Sequence, residues 1–416
     1  MDHHATTPVD PRVLDAMLPA LREDFGNASS PHHLFGRRAR GIVDEARAQV
    51  ASLIGARPDE IVFTAGATES NNLALKGVMR LLKAKGDHLI TCAIEHASVI
   101  ETAEALAAEG FEVTFLPVDG EGRVRPADVE AAIRPRTALI SIMTANNEIG
   151  TVQPVREIGR LARSRGILFH TDATQAAPWL PIDVREDHID LLSLSAHKLY
   201  GPKGIGALYV RRDHPHVRLE PLMNGGGHEE GLRPGTLNVP GIAGFGRAAE
   251  IARAERARDA VRVAGIRDHL AASIRSRVDD VRSNGPADPA LRLPNNLNLS
   301  FAYIEGESLL KSFDSIALSS SSACSGANLE VSHVLKAIGL PADLVHASIR
   351  FGLGRFNTLA EADFVADEVA RIVAGLRERS TLYQIAKSGA ADFRLARLPG
   401  APSLGTHAQK TGPCKR

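Results

Sequence analysis

The sequence predicts an α/β protein in which a mostly parallel sheet of seven strands is covered by helices on both faces. The first observation is that short apolar segments alternate with helical patterns between Ile61 and Val210. The second is that glycine and polar residues follow most of these segments, as expected where a strand ends in a loop. The predicted strands cover residues 61–64, 88–92, 112–116, 138–144, 167–171, 189–194 and 206–210.

Helices are predicted before and between these strands. Asp10 and Pro11 indicate a helix start, because a carboxylate can cap the helix and proline is favoured at its first position. A second helix is predicted over residues 38–54 from the spacing of its apolar residues. Helical segments at 98–109 and 155–165 lie between strands, which is the order that produces parallel pairing.

The pattern of helical and strand-like segments in the second half of the chain predicts a smaller α/β domain. An Arg- and Ala-rich helix is followed by strand-like segments at 298–301, 316–319 and 348–351 and by a long final helix. We predict a large domain over residues 13–250 and a small domain over residues 1–12 and 251–385. Residues 386–416 are predicted to be a disordered basic tail, since the end of the chain lacks hydrophobic periodicity.

The composition excludes several classes of function. The 416 residues include 49 Lys plus Arg and 49 Asp plus Glu, so net charge gives no reason to expect nucleic acid or an anionic membrane as a partner. No apolar run reaches membrane-spanning length, and the N-terminus lacks a secretion-signal pattern. We therefore expect a soluble, cytoplasmic protein. Three cysteines at 92, 324 and 414 are too few for a disulfide framework.

The stretch from Ser193 to Gly206 carries the functional hypothesis. Lys198 follows an apolar segment, has a histidine before it and a serine three residues before it, and precedes a turn rich in glycine. A lone lysine would be a solvated surface charge. A desolvated lysine amine, however, is a nucleophile that forms Schiff bases with carbonyl compounds. Because other strand ends offer partners for a bound aldehyde cofactor, Lys198 is predicted to anchor it.

Three of those strand ends suggest the contacts of such a cofactor. Small residues after Thr64 open a helical pattern, and a helix N-terminus offers free N–H groups to a phosphate. Asp172 follows another strand, where it could pair with a protonated ring nitrogen and keep the ring an electron sink. Its alternative role is to cap the next helix. His96 could stack on a ring or transfer protons, although most isolated histidines do neither.

Cys324 lies in a run of serines, alanines and glycine after a short predicted strand. Such a segment has little apolar surface to bury, so we expect an exposed and mobile loop. An exposed thiol in a polar loop is a candidate nucleophile, whereas a thiol packed in a core is inert. Cys92, on an apolar segment, is therefore interpreted as structural.

These features occur together in motifs found in order from about residue 2 to about residue 385. They include Ala-Thr-Thr-Pro at 5–8, Ala-Thr-Glu-Ser-Asn-Asn at 67–72, Glu-His at 95–96, Asn-Asn-Glu-Ile-Gly at 146–150, His-Thr-Asp-Ala-Thr-Gln at 170–175, Ser-Ala-His-Lys-Leu-Tyr-Gly-Pro-Lys-Gly at 195–204, Arg-Pro-Gly-Thr at 233–236, Ser-Ala-Cys at 322–324 and Ser-Ile-Arg-Phe at 348–351. The sequence resembles the cysteine desulfurases of the NifS/IscS type, in the class V aminotransferase superfamily. This resemblance implies a fold-type I pyridoxal-phosphate-dependent transferase.

The resemblance also implies which residues hold the cofactor. Lys198 would bind the aldehyde of pyridoxal 5′-phosphate, Asp172 would pair with the pyridine nitrogen, and Gln175 would bond the ring hydroxyl. His96 would lie on the ring face and act in catalysis. The remaining cofactor contacts implied by the resemblance come from Ala67, Thr68, Asn147, Ser195, His197 and Thr236. Thr236 would reach the phosphate held by the second subunit of a homodimer.

For the substrate, the resemblance implies L-cysteine, which the enzyme converts to alanine. Asn147 and Arg350 would hold its carboxylate, and Cys324 would accept its sulfur as a persulfide. The sulfur would then pass to an acceptor or iron–sulfur scaffold protein, for iron–sulfur cluster assembly or tRNA thiolation. No metal, nucleic acid or membrane is implied as a partner.

Two alternatives stay open at the level of sequence, and a third is disfavoured. One is another pyridoxal-phosphate reaction on a small amino acid, such as selenocysteine lysis, which can proceed without Cys324. Another is a sulfur-relay protein that has lost catalysis, although Lys198, Asp172 and His96 are all present. A zinc site at the histidine pairs 3–4 and 32–33 is disfavoured, because no cysteine or carboxylate cluster lies near them in sequence.

Overall fold

A seven-stranded sheet organises residues 61–210. In the computed structural model, which describes residues 1–213, 216–320 and 332–388, the strands of this sheet lie in the order β1-β7-β6-β5-β4-β2-β3. Their bounds are β1 Ile61–Thr64, β2 His88–Cys92, β3 Glu112–Leu116, β4 Thr137–Ser141, β5 Leu168–Asp172, β6 Leu191–Ser195 and β7 Gly206–Val210. Pairing is parallel from β6 to β3, while β7 is antiparallel to both neighbours. The predicted mostly parallel sheet is confirmed.

Helices cover both faces of this sheet. They are α1 Pro11–Arg22, α2 Leu34–Leu53, α3 Ala67–Leu82, α4 Ala97–Ala108, α5 Pro126–Ala132, α6 Val155–Ser164 and α7 Val239–Arg277. Successive strand residues point to opposite faces, so Leu139 packs in one hydrophobic cluster with α3 and α4 while Ile140 packs in the other with α2 and α7. Burial on both faces explains why β1, β4, β6 and β7 are mostly apolar, whereas the edge strand β3 is partly exposed.

A second, antiparallel sheet follows in the order β10-β11-β9-β8. Its strands are β8 Val281–Ser283, β9 Asn296–Phe301, β10 Ser319–Ser320 and β11 Ser348–Gly352. The helices of this part are α8 Gly306–Lys311, α9 His333–Ala337, α10 Ala342–His346, α11 Leu359–Glu378 and α12 Thr381–Lys387. Asp2 forms a parallel bridge with Gly352, which brings the N-terminal segment beside β11.

Several predicted elements differ from the structure at their ends, among them β4, β5, β6 and β9, and two differences have a local explanation or change the element itself. Helix α2 begins at Leu34 rather than Arg38, because the side chain of His33 caps it by accepting a hydrogen bond from the Gly36 N–H at 3.1 Å. The sequence predicts a strand at 316–319, but β10 comprises only Ser319 and Ser320. Ile316 is buried without lying in that strand.

The predicted domain division stays a prediction. Helix α7 is 39 residues long and continues through the predicted border after residue 250. Of the predicted tail, only residues 386–388 lie within the described part of the chain. Within the described ranges, none of the helices has the length and apolar character needed to cross a lipid bilayer.

Candidate active site

A cavity of about 1110 Å³ opens where β1, β5 and β6 end. Ten of the twelve residues predicted for the site line it: Ala67, Thr68, His96, Asn147, Asp172, Gln175, Ser195, His197, Lys198 and Arg350. Thr236 is exposed and does not line this cavity, and Cys324 lies outside the described residues. The cavity thus occupies the position that ligands take in open α/β sheets, beside the carboxyl ends of strands.

The position of Lys198 follows from the end of β6. The fully buried strand ends at Ser195, and residues Ala196–Lys198 continue as one 3₁₀ turn that directs the lysine into the cavity. The Lys198 ammonium donates to the main-chain oxygens of His4 and Ala5, the latter at 2.6 Å. The lysine predicted from a strand-end motif therefore lies under the N-terminal segment.

The part of the cavity beside the start of helix α3 is suited to an anion. Helix α3 starts at Ala67 without a side-chain cap at Gly66, so the first-turn N–H groups are offered to the cavity side. Close approach of β7 requires glycine: a Cβ on Gly206 would lie 2.6 Å from the Cα of Gly66. Burial lowers the pKa of His197 to about 4, assisted by the charges of Lys198 and Lys203. His197 is therefore neutral at pH 7.

Asp172 lies at the end of β5 with 6% of its surface exposed. One carboxylate oxygen accepts from Asn71 Nδ2 at 2.8 Å and the other from the main-chain N–H of Thr174 at 2.9 Å. Both of these donors are neutral, so they orient the carboxylate without cancelling its charge. A cationic ring nitrogen in the cavity would find a negative partner here.

His96 caps helix α4 and is held in one tautomer. Its Nδ1 accepts from the Ser98 N–H at 3.2 Å and lies 2.8 Å from the Ser98 hydroxyl. That hydroxyl in turn accepts from Asn71 Nδ2 at 2.9 Å, so it is free to donate to His96. Burial lowers the pKa of His96. The imidazole is thus neutral with its proton on Nε2.

Arg350 brings a buried positive charge to the cavity from β11. Its side chain is 2% exposed, and Nη1 donates to the main-chain oxygen of Asn147 at 3.1 Å. Nη2 donates to Asp2 Oδ1 at 3.1 Å. The Nε–H is buried and has no hydrogen-bond partner among the described residues. A guanidinium held in this way has a donor left for a carboxylate.

Several residues that orient the site were not assigned roles from the sequence. Asn71 connects Asp172 to Ser98, and His4 contacts Gln175. Asn71 belongs to the motif at 67–72. A polar side chain one turn into α3 could therefore have been predicted to contact the site. For His4 and Ser98 the sequence offers no comparable signal, because their partners are set by tertiary packing.

Of the three cysteines, only Cys92 lies in the described residues. It is buried, and burial raises the pKa of its thiol, which donates to Glu95 Oε1 at 3.2 Å. These properties agree with a structural role. Cys414, like Cys324, is outside the described residues.

The sequence is similar to a family of known enzymes along most of its length. Residues 1–365 match the family described as aminotransferase class-V. A protein of Anaeromyxobacter sp. strain Fw109-5 named cysteine desulfurase IscS is 56% identical over 389 residues, which cover 94% of this chain and 96% of that protein. Human cysteine desulfurase is 51% identical over 389 residues, covering 94% of this chain and 84% of the human protein.

Solved structures are similar in fold. A NifS-like protein superposes with a TM-score of 0.84 at 37% identity, covering 90% of this chain and 99% of the other. The structure described as SspA in complex with cysteine has a TM-score of 0.75 at 39% identity, covering 86% and 99% of the two chains.

Proposed function

Since the chain belongs to the aminotransferase class-V family and is a pyridoxal-phosphate-dependent cysteine desulfurase, we propose that the residues lining the large cavity carry its reaction. The enzyme converts L-cysteine to L-alanine and transfers the sulfur. The observation that carries the assignment is that Lys198, His96, Asp172 and Arg350 all line one cavity of about 1110 Å³.

The residues present fit pyridoxal 5′-phosphate. The uncapped start of α3, with Thr68, Ser195 and His197 beside it, suits the phosphate. The Asp172 carboxylate, oriented by neutral donors, suits the ring nitrogen, and Lys198 would hold the aldehyde. When bound, the cofactor supplies an electron-poor ring that stabilises negative charge at the substrate α-carbon.

The chain's own groups then bind the substrate and move its proton. Arg350 and Asn147 would bind the carboxylate of cysteine, and the guanidinium has a free donor for it. The Lys198 amine would take the proton from the α-carbon. Neutral His96, with its proton on Nε2, can donate a hydrogen bond into the same space.

Cys324 is proposed as the sulfur acceptor. Its thiolate would attack the sulfur of the substrate, so that an S–S bond forms as the Cβ–S bond breaks. The electron pair of the broken bond remains with the carbon, which takes up a proton and becomes the methyl group of alanine. The persulfide would then pass its outer sulfur to the thiol of an acceptor protein by exchange. Iron–sulfur cluster assembly or tRNA thiolation would use that sulfur.

A homodimer is part of the proposal. Phe25 and Phe35 stack with ring centroids 5.4 Å apart and are 67% and 47% exposed, and Leu21 and Leu34 are also exposed. Exposed large apolar side chains of this kind are typical of an interface. Thr236, which does not line the cavity of its own chain, would contact the phosphate held by the other subunit. The cytoplasmic location remains a prediction from the sequence.

Replacing Lys198, the residue proposed to bind the cofactor aldehyde, tests the proposal. Wild type is expected to release alanine from L-cysteine and to bind pyridoxal phosphate as a yellow complex, whereas Lys198→Ala should lose both properties. Lys203→Ala is the matched control, since it removes a neighbouring lysine of the same cavity. Turnover by Lys198→Ala at the wild-type rate would refute the assignment.

A further inference from the structure

His4 has no role in the reaction as described above, although it is buried in the wall of the cavity. His4 is only 1% exposed, and its Nδ1 lies 2.9 Å from Gln175 Oε1. In return, Gln175 Nε2 donates to the main-chain oxygen of His4 at 3.0 Å. The amide of Gln175 is thus held at both of its polar atoms by one residue.

These contacts determine the direction of each hydrogen bond. A main-chain oxygen only accepts, so the atom of Gln175 that faces the His4 carbonyl must be the NH₂ group. The other amide atom is then the carbonyl oxygen, which requires a hydrogen on His4 Nδ1. The orientation of the Gln175 amide and the tautomer of His4 therefore fix each other.

The contacts of the other ring nitrogen, Nε2 of His4, indicate the same tautomer. Asn296 Nδ2 donates to the main-chain oxygen of Glu148 at 3.1 Å and lies 3.1 Å from His4 Nε2. One amide hydrogen serves each acceptor, so Nε2 of His4 accepts and carries no proton. Burial, with the positive charge of Arg350 nearby, lowers the pKa of His4 to about 3 and keeps the ring neutral.

We propose that His4 is a positioning residue that orients the amide of Gln175 so that an Nε2 hydrogen, rather than the carbonyl oxygen, is presented to the ring oxygen of the cofactor. The inference deepens the proposed function, in which Gln175 bonds that oxygen. One Nε2 hydrogen is used by the His4 carbonyl, and the second remains for the cavity that Gln175 lines. A donor at this point favours the anionic form of the ring oxygen.

Substitutions at residue 4 separate the two ring nitrogens. Asn can place an amide N–H near the position of Nδ1 and so keep the donor to Gln175. Gln reaches toward the position of Nε2, where it can contact Asn296 but does not replace the Nδ1 donor. Ala removes both contacts. The proposal therefore predicts that His4→Asn binds the cofactor nearly as wild type does. His4→Gln and His4→Ala should both bind it less well.

The experiment loads the full-length wild type and the three variants with pyridoxal 5′-phosphate. It records the ratio of the visible to the near-ultraviolet absorption band of the bound cofactor and the rate of cofactor release. We expect His4→Ala and His4→Gln to lose part of the visible band and to release the cofactor about three- to tenfold faster, the effect of one hydrogen bond. His4→Asn should retain the wild-type values for both readouts.

A second measurement separates positioning from a general effect on folding. In the Gln175→Ala background, His4→Ala should add little to the change in either readout, since the residue it orients is already gone. Full additivity of the two substitutions would overturn the inference. So would unchanged spectra in all three variants, or a His4→Asn spectrum as altered as that of His4→Ala.

The spectra distinguish failure of the proposed function from failure of the inference about His4. If the wild type itself lacked a visible band that depends on Lys198, the assignment of Lys198 would fall and the role of His4 would fall with it. A normal, Lys198-dependent band that no substitution at residue 4 affects would refute only the role of His4.

Discussion

The carboxylate of Asp2 holds the guanidinium of Arg350, with Oδ1 accepting from Nη2 at 3.1 Å. The other carboxylate oxygen accepts from the Ser319 hydroxyl at 2.8 Å. Asp2 therefore links the proposed substrate-binding arginine to the last strand before residues 321–331, the segment that contains Cys324. This relationship explains why the N-terminal segment lies beside β11 rather than at the periphery.

Removing the Asp2 carboxylate is expected to impair substrate binding more than chemistry. Asp2→Ala leaves Arg350 with the contact to Asn147 as its remaining hydrogen bond among those described, so the guanidinium loses its fixed orientation. We predict a KM for L-cysteine raised about tenfold, as for the loss of a charge-assisted hydrogen bond, with kcat within about threefold of wild type. Steady-state kinetics measure both values, and Asp15→Ala, an exposed aspartate in α1, is the control. A drop in kcat at constant KM would contradict the role.

Asn71 is predicted to control the charge next to the cofactor ring. Asn71→Ala removes the hydrogen bonds to Asp172 and Ser98 and should lower kcat about tenfold. Asn71→Asp adds a second carboxylate within contact of Asp172, and because like charges raise each other's pKa, one of them would be protonated. We expect it to be at least tenfold worse than the alanine variant in kcat. If Asn71→Asp were the more active of the two, Asp172 would not act through its charge.

Glu95 is predicted to make stability fall as pH rises. Burial raises its pKa to about 8, with one oxygen accepting from the Met143 N–H and the other without a hydrogen-bond partner among the described residues. Because the unfolded chain ionises this carboxyl near pH 4.5 and the folded chain only near pH 8, the unfolded state is increasingly favoured between these values.

Glu95→Gln removes this titration, so the variant should gain stability relative to wild type as pH rises from 5 to 8. The expected gain is of the order of a few kcal/mol. Denaturant unfolding at pH 5.5 and pH 8 measures the difference, and Glu45→Gln, on the exposed face of α2, is the control. A stability difference between variant and wild type that does not change with pH would refute the raised pKa.

The apolar surface at Phe25 and Phe35 is predicted to be the subunit interface. Placing a charge there, as in Phe35→Asp, should convert a dimer to a monomer in light scattering and weaken cofactor retention, because Thr236 would lose access to the second subunit's phosphate. Phe115→Asp is the control, since Phe115 is also an exposed aromatic residue, at 39%, but lies in the edge strand β3. A monomeric wild type with full activity would contradict the prediction.

Much of the central sheet could be predicted from the sequence. Strands β1, β2, β3 and β7 agree with their predicted residues, because each is a short run of mostly apolar or β-branched residues. The start of helix α2, by contrast, could not be predicted from the sequence. Its first turn contains the exposed residues Leu34 and Phe35, so no buried periodicity marks it, and its cap is an imidazole rather than a common capping side chain.

The residues of the cavity were predicted mainly because they lie in motifs at strand ends. The residues that orient them were not, since their partners are distant in sequence: Asn71 bonds Asp172 across 101 positions and His4 bonds Gln175 across 171. Local propensity and periodicity contain no information about such pairs. Only the fold, which places the N-terminal segment over the ends of β5 and β6, shows that His4 contacts Gln175 and that Asp2 contacts Arg350.

The most direct test of the proposed mechanism is sulfur transfer to Cys324. Wild type and Cys324→Ser would be supplied with L-cysteine and a thiol reductant, and alanine and sulfide would be quantified. If Cys324 accepts the sulfur, wild type should form equal amounts of both products, and the variant should form neither while keeping its yellow cofactor, because Lys198 is intact. Equal activity of the two proteins would show that Cys324 is not the sulfur acceptor and would favour a lyase in which the substrate releases its sulfur without an enzyme persulfide.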